Sequence, residues 1–96
     1  KPVGVFADGD FRANWVYSAA RKHGWKIPDE IFVVGFYNTP WCEALDPRLS
    51  SVWIHEQDMA REVVRIVNED KEEREEVLIT PELVVRDSSC GMEEKS

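Results

Sequence analysis

The sequence predicts an α/β fold built on a doubly wound parallel sheet, from three observations. Two short apolar runs, residues 3–7 (VGVFA) and 31–36 (IFVVGF), bracket a segment of helical period. Strand, helix and strand joined this way form a βαβ unit, whose strands are parallel, with a right-handed crossover and both sheet faces covered. A second amphipathic helix follows at residues 56–68, and 96 residues hold one small domain at most.

Each element has a local reason. The first strand stops at Asp8-Gly9-Asp10. From residue 11 to 23 the period becomes helical, with Val16, Ala19, Ala20 and His23 on one face. Asp10 reads as the N-cap and Gly24 as the C-terminal stop, and Arg21 and Lys22 suit the negative end of the helix dipole. Pro28 opens the turn into residues 31–36, a second buried strand. A loop with one helical turn over residues 39–46 leads through Pro47 to SSVWI at 50–54, a third strand or extended crossover. The helix at 56–68 carries the apolar stripe Met59, Ala60, Val63, Ile66 and Val67. Residues 77–80 and 83–86 read as two short strands separated by Pro81, which cannot donate to a ladder. Ser88 onward shows no pattern and reads as a flexible tail, 88–96.

The net charge of −7 is local. Residues 69–76 are eight consecutive charged residues, six acidic and two basic, and the tail at 93–95 adds one more negative charge. This is the composition of a solvated loop and a frayed end. No cluster of Lys or Arg offers the concentrated basic face that phosphate neutralisation requires. No apolar run approaches the ~20 residues of a bilayer span, and no signal peptide opens the sequence. Cys42 and Cys90 form no C-x-x-C pair, and neither shares ligand spacing with His23 or His55. The expectation is reduced thiols in a cytoplasmic protein, with no metal and no cofactor.

In an open parallel sheet, ligands bind beyond the carboxyl ends of the strands. Two loops occupy that position: residues 8–12 after the first strand, and residues 37–41 after the second. Trp15 and Trp41 read either as packing and subunit contacts or as sugar-stacking surfaces. Asp8-Gly9-Asp10 also resembles the nucleophile loop of haloacid-dehalogenase-type phosphatases, with Asp8 as nucleophile and Asp10 as acid/base. That pattern breaks at Arg12, where the family carries a hydroxyl residue, and at Tyr37-Asn38, where a magnesium-binding acidic pair belongs. No catalytic activity is expected.

A different resemblance covers nearly the whole chain. The strings VFADGD, RKHGWKIPDEI, VVGFYNT, LDPRLSSV, QDMAREVVRIV and LITPELVVRDS occur in order. Together they resemble the C-terminal stretch of the effector-binding domain of LacI/GalR-type transcriptional regulators, related to periplasmic sugar-binding proteins. The resemblance implies a two-lobed, periplasmic-binding-protein-like fold, of which residues 1–87 supply mostly the second lobe and the hinge crossings. It implies a small-molecule effector, a sugar or derivative, in the cleft, a homodimer, and DNA bound only through a headpiece outside these residues. A periplasmic sugar-binding protein of the same fold is the alternative. The helix at 56–68 would then pack on the other lobe.

The same resemblance places the effector contacts at Gly9, Asp10, Tyr37, Asn38, Trp53 and Ile54. Three of these depart from the family pattern. Gly9 stands where an Asn is common, Tyr37 where an Asp is common, and Ile54 where the hinge often carries Gln. Stacking from Tyr37 or Trp53 is the expected compensation for those polar contacts. The dimer surface falls on Asn14, Trp15, Trp41 and Leu45, with Trp15 replacing a small residue.

Overall fold

The computed structural model of the chain describes residues 3–69 and 76–94, the side chains of 91–94 excepted. Most of the charged run, 70–75, and the last two residues of the tail lie outside the described residues.

Eight elements follow in the order β1 (Val3–Phe6), α1 (Asp10–His23), β2 (Ile31–Phe36), α2 (Trp41–Ala44), β3 (Ser50–Trp53), α3 (Glu56–Asn68), β4 (Glu82–Val84) and α4 (Asp87–Glu94). The strands lie side by side in that same order. β1 and β2 pair in parallel with Val3 opposite Ile31, and β2 and β3 in parallel with Val34 opposite Ser50. β4 returns antiparallel to β3, with Val52 opposite Leu83, so the sheet is mixed rather than wholly parallel.

β2 is the central strand because its β-branched and aromatic side chains suit burial on a pleated surface. Ile31, Phe32 and Val33 are all buried. Val5, Ile31 and Val33 alternate onto one face, where α1 delivers Ala13, Tyr17 and Ala20, and Leu49 and Cys42 complete the core. The buried face of α1 is therefore rotated from the predicted one. Ala19 and His23 are exposed, and Tyr17 is buried instead. The difference lies in the Tyr17 hydroxyl, which donates to the Pro47 carbonyl at 2.6 Å and so permits the ring to be buried. Gly24 ends the helix at φ 73°, the left-handed region that favours glycine.

The expectation that both sheet faces are covered is not met within the described residues. Phe6 alternates onto the face away from α1 and is 60% exposed, touching Phe36 edge to face at 6.0 Å. α3 departs further still. No residue of it is buried, and Val67 is 72% exposed. Between α3 and the segment returning to β4 lies an apolar groove of about 710 Å³ lined by Ile54, Met59, Val63, Ile66, Val77 and Ile79. The radius of gyration, 17.2 Å, exceeds the ~13 Å of a compact domain this size.

Two predicted features change at the C-terminal end. Residues 77–80 form no strand, and Val77 and Ile79 instead line that groove, while the second predicted strand shifts to Glu82–Val84. Arg86 leaves the ladder because its N–H donates to the Ser50 hydroxyl at 2.7 Å. Ser88, read as the start of a patternless tail, is fully buried in the first turn of α4. Its hydroxyl donates to the Val33 carbonyl at 2.5 Å and accepts the Ser50 N–H at 2.8 Å. Short hydroxyl side chains hold α4 against the sheet, an anchor without apolar period.

Candidate functional site

The loops following β1 and β2 meet β3 at the carboxyl ends of β1 and β2, and one buried carboxylate joins them. Asp10 is 1% exposed. It does not cap α1: Gly9 occupies the N-cap, and its carbonyl receives the N–H groups of Arg12 and Ala13. The Asp10 carboxylate reaches across the sheet. Oδ2 accepts the Thr39 N–H at 2.5 Å and the Thr39 hydroxyl at 2.8 Å, and Oδ1 accepts the Ser51 hydroxyl at 2.6 Å. A buried carboxylate needs such donors to offset its desolvation. Its oxygens thus tie the start of α1 to the loop after β2 and to β3, so Asp10 organises the site.

Tyr37 and Asn38 follow β2 in left-handed backbone conformations, φ 95° and 55°. Asn tolerates that region and Tyr does so at a cost of about 1–3 kcal/mol, so the surrounding contacts must impose it. The Tyr37 N–H donates to the Val52 carbonyl at 2.8 Å, and the Asn38 N–H to the Ser51 hydroxyl at 2.9 Å. The Tyr37 ring is exposed and meets Phe36 edge to face. Ser51 therefore touches both Asp10 and Asn38 and ties two of the expected effector positions together.

The remaining expected positions are spread along the same edge. Gly9 is extended at φ 179°, and the space where its Cβ would stand is open. Trp53 ends β3 and stacks on His55 at 4.0 Å. The His55 Nε2 lies 3.2 Å from Glu82, and Nδ1 lies 3.7 Å from Asp58. Ile54 faces the α3 groove instead of the loops.

The residues expected at a dimer surface divide between exposed and packed positions. Trp15 and Trp41 are exposed and are bridged by Phe11, at 6.4 and 5.6 Å. Asn14 is half-buried, and Leu45 packs against the core. Phe11 was missed because it was read as the first residue of α1 rather than as part of a surface.

Sequence reasoning also missed Thr39, Ser51 and Arg86. Arg86 is nearly enclosed: Nη2 donates to the Asn38 Oδ1 at 2.8 Å, Nη1 to the Leu49 carbonyl at 2.8 Å, and Nε lies 2.7 Å from Glu43. The available signal was Ser50-Ser51, two hydroxyls opening a strand whose neighbours are apolar.

Two titratable groups beneath the site are displaced from their ordinary values. Burial, reinforced by Asp10, pushes the Cys42 thiol from 9.0 up to about 11. Burial pushes the Tyr17 hydroxyl from 10.0 up to about 12. Both are acids whose neutral form the fold favours. Their contribution to stability is full below the unfolded values and is lost as pH rises from about 9 to 12. Urea midpoints measured from pH 8 to 11 are expected to fall, with Cys42→Ala removing the lower part of the decline. A flat profile contradicts this reading. Among the described residues, no group of three or more His, Cys, Asp or Glu is placed to hold a metal ion. Nor does any helix have the length and apolarity to cross a membrane.

The phosphatase arrangement is not formed. Asp8 is exposed and pairs with Arg12 at 3.2 Å, while both Asp10 oxygens are occupied by loop donors.

A family profile described as the periplasmic binding protein-like domain matches residues 1–89. The HTH-type transcriptional regulator DegA of Bacillus subtilis (strain 168) is 33% identical over 95 residues, 95% of this chain and 28% of that protein. The PurR repressor of Vibrio campbellii (strain ATCC BAA-1116) is 30% identical over 92 residues, again 28% of its length. The chain thus spans little more than a quarter of these relatives. Among solved structures, a LacI family regulator from Enterococcus faecium with bound ribose superposes with a TM-score of 0.74 at 26% identity, over 90% of this chain and 34% of that one. The chain belongs to the periplasmic binding protein-like domain family, in the form found in LacI/GalR-type transcriptional regulators.

Proposed function

We propose that this chain is the C-terminal part of the effector-binding domain of a LacI/GalR-type transcriptional regulator acting in the cytoplasm. The observation that carries the reading is the convergence of the loops after β1 and β2 on β3, joined through Asp10, Ser51 and Asn38 at the carboxyl ends of β1 and β2. That edge is where open α/β sheets take ligands. The effector is a small molecule, a sugar or derivative, in keeping with the ribose and cellobiose in the solved relatives. Tyr37 and Trp53 supply exposed rings for stacking on a sugar face, and the space at Gly9 is open. Asp10 is a positioning residue.

The apolar face of α3 is completed by a lobe outside this chain. A homodimer forms through α1 and α2, with Phe11, Trp15 and Trp41 as its aromatic centre. DNA is bound by a headpiece elsewhere in the protein. Effector binding selects one angle between the lobes, and the hinge passes that preference to the headpieces.

A thermal-shift screen of the intact regulator against D-ribose, D-glucose and cellobiose tests this reading. A sugar at a hundredfold excess over its Kd adds about 2.7 kcal/mol of stability, so its Tm is expected to rise by roughly 5–10 °C. The rise is expected to disappear in the Tyr37→Ala, Trp53→Ala double variant. A rise of undiminished size in that variant excludes the site assignment.

A further inference from the structure

The polar groups of the Tyr37-Asn38 loop are largely engaged within the protein, and what they leave over defines what the loop offers a ligand. The Tyr37 N–H goes to Val52 and the Asn38 N–H to Ser51. The Asn38 carboxamide oxygen receives Arg86 Nη2 at 2.8 Å. A guanidinium donates and never accepts, so this contact fixes which end of the amide faces Arg86. Arg86 cannot swing away, because Nη1 is held by the Leu49 carbonyl and Nε by Glu43. Its own N–H, on Ser50, fixes the backbone that carries it. The opposite end of the carboxamide, Nδ2, has no acceptor among the described residues, and Asn38 is only half-buried.

We propose that Arg86 is a specificity-determining positioning residue: by holding the Asn38 oxygen it presents Asn38 Nδ2 as a fixed donor at the carboxyl end of β2, for a hydroxyl or ring oxygen of the effector. The proposal rests on the effector reading above and adds the polarity of this contact. The site selects a ligand with an acceptor there. An amide free to flip would serve donors and acceptors alike.

The decisive variant is Asn38→Asp in the intact regulator. A carboxylate keeps the Arg86 contact, now charge-assisted, and tolerates the left-handed backbone, but it has no proton to donate. Calorimetric titration with D-ribose, D-glucose and cellobiose is expected to show about a tenfold loss of affinity for whichever sugar the wild type binds, with Tm within about 2 °C of wild type. A purely structural role for Asn38 leaves affinity unchanged in this variant. Arg86→Met is expected to lose affinity by a similar factor, and the double variant no more than either single one. Losses that multiply overturn the proposal.

A ligand-free measurement separates the proposal from the reading beneath it. The mobility of the Asn38 carboxamide about its Cβ–Cγ bond, followed by ¹⁵N relaxation of the Nδ2 group, is expected to be low in wild type and to rise in Arg86→Met. A mobile carboxamide in wild type overturns the clamp. A rigid carboxamide in a regulator that takes up none of the three sugars overturns the sugar reading and leaves the clamp standing.

Discussion

Asp10→Ala is expected to lower the stability of the fold by about 3 kcal/mol. The substitution removes the acceptor of the Thr39 N–H, the Thr39 hydroxyl and the Ser51 hydroxyl, in a place where Asp10 itself is 1% exposed. The hydroxyls can rotate toward other partners, but the Thr39 N–H is fixed by the backbone and carries most of the cost. An ordinary N-cap is worth about 1 kcal/mol, so magnitude alone separates the two roles. Equilibrium urea unfolding decides between them: a loss near 1 kcal/mol returns Asp10 to the capping role read from the sequence. Asp10→Asn keeps one acceptor oxygen but turns amide protons toward donors, and an intermediate loss of about 2 kcal/mol is expected.

Gly35→Ala is expected to cost about 3 kcal/mol or more, from the opposite side of the same contact. A Cβ on Gly35 would overlap Asp10 Oδ1 and stand 2.9 Å from the Leu49 Cδ2 and 3.3 Å from the Asp10 Cα. A flexible side chain could yield, but this carboxylate is bound through both oxygens and the Cα belongs to the first turn of α1. The methyl group therefore pushes α1 off β2. Glycine is needed here for close approach, not for an unusual backbone angle. Gly35→Ala combined with Asp10→Ala should cost less than the two losses together, because the overlapping oxygen is gone. Simple additivity in urea unfolding would mean that the two residues do not meet.

The apolar framework was readable because it is periodic. β2 at Ile31–Phe36 and α3 at Glu56–Asn68 coincide with the runs read from the sequence, and the missing partners of the α3 stripe were also expected. Polar anchoring was not readable, since it has no period. Ser88 and Ser89 signal a frayed end to any composition-based reading, yet Ser88 is buried against Val33 and Ser50. Asp10 followed the pattern of an N-cap, and only the position of Thr39 and Ser51 across the sheet shows where its carboxylate goes. Tyr17 lies off the predicted apolar face and is buried because Pro47 accepts its hydroxyl. At the candidate site, the loops were located by topology, whereas Arg86 lies 48 residues from Asn38. Contacts at that separation are a product of the fold, and local sequence carries no trace of them.

The central claim is that effector binds at the carboxyl ends of β1, β2 and β3. Hydrogen–deuterium exchange of the intact regulator, with and without whichever of D-ribose, D-glucose and cellobiose stabilises it, tests this directly. Binding is expected to slow exchange at residues 8–10, 37–39 and 53–55, with the buried centre of β2 already protected in the free protein. Protection confined to other parts of the regulator, with these three loops unchanged, contradicts the account.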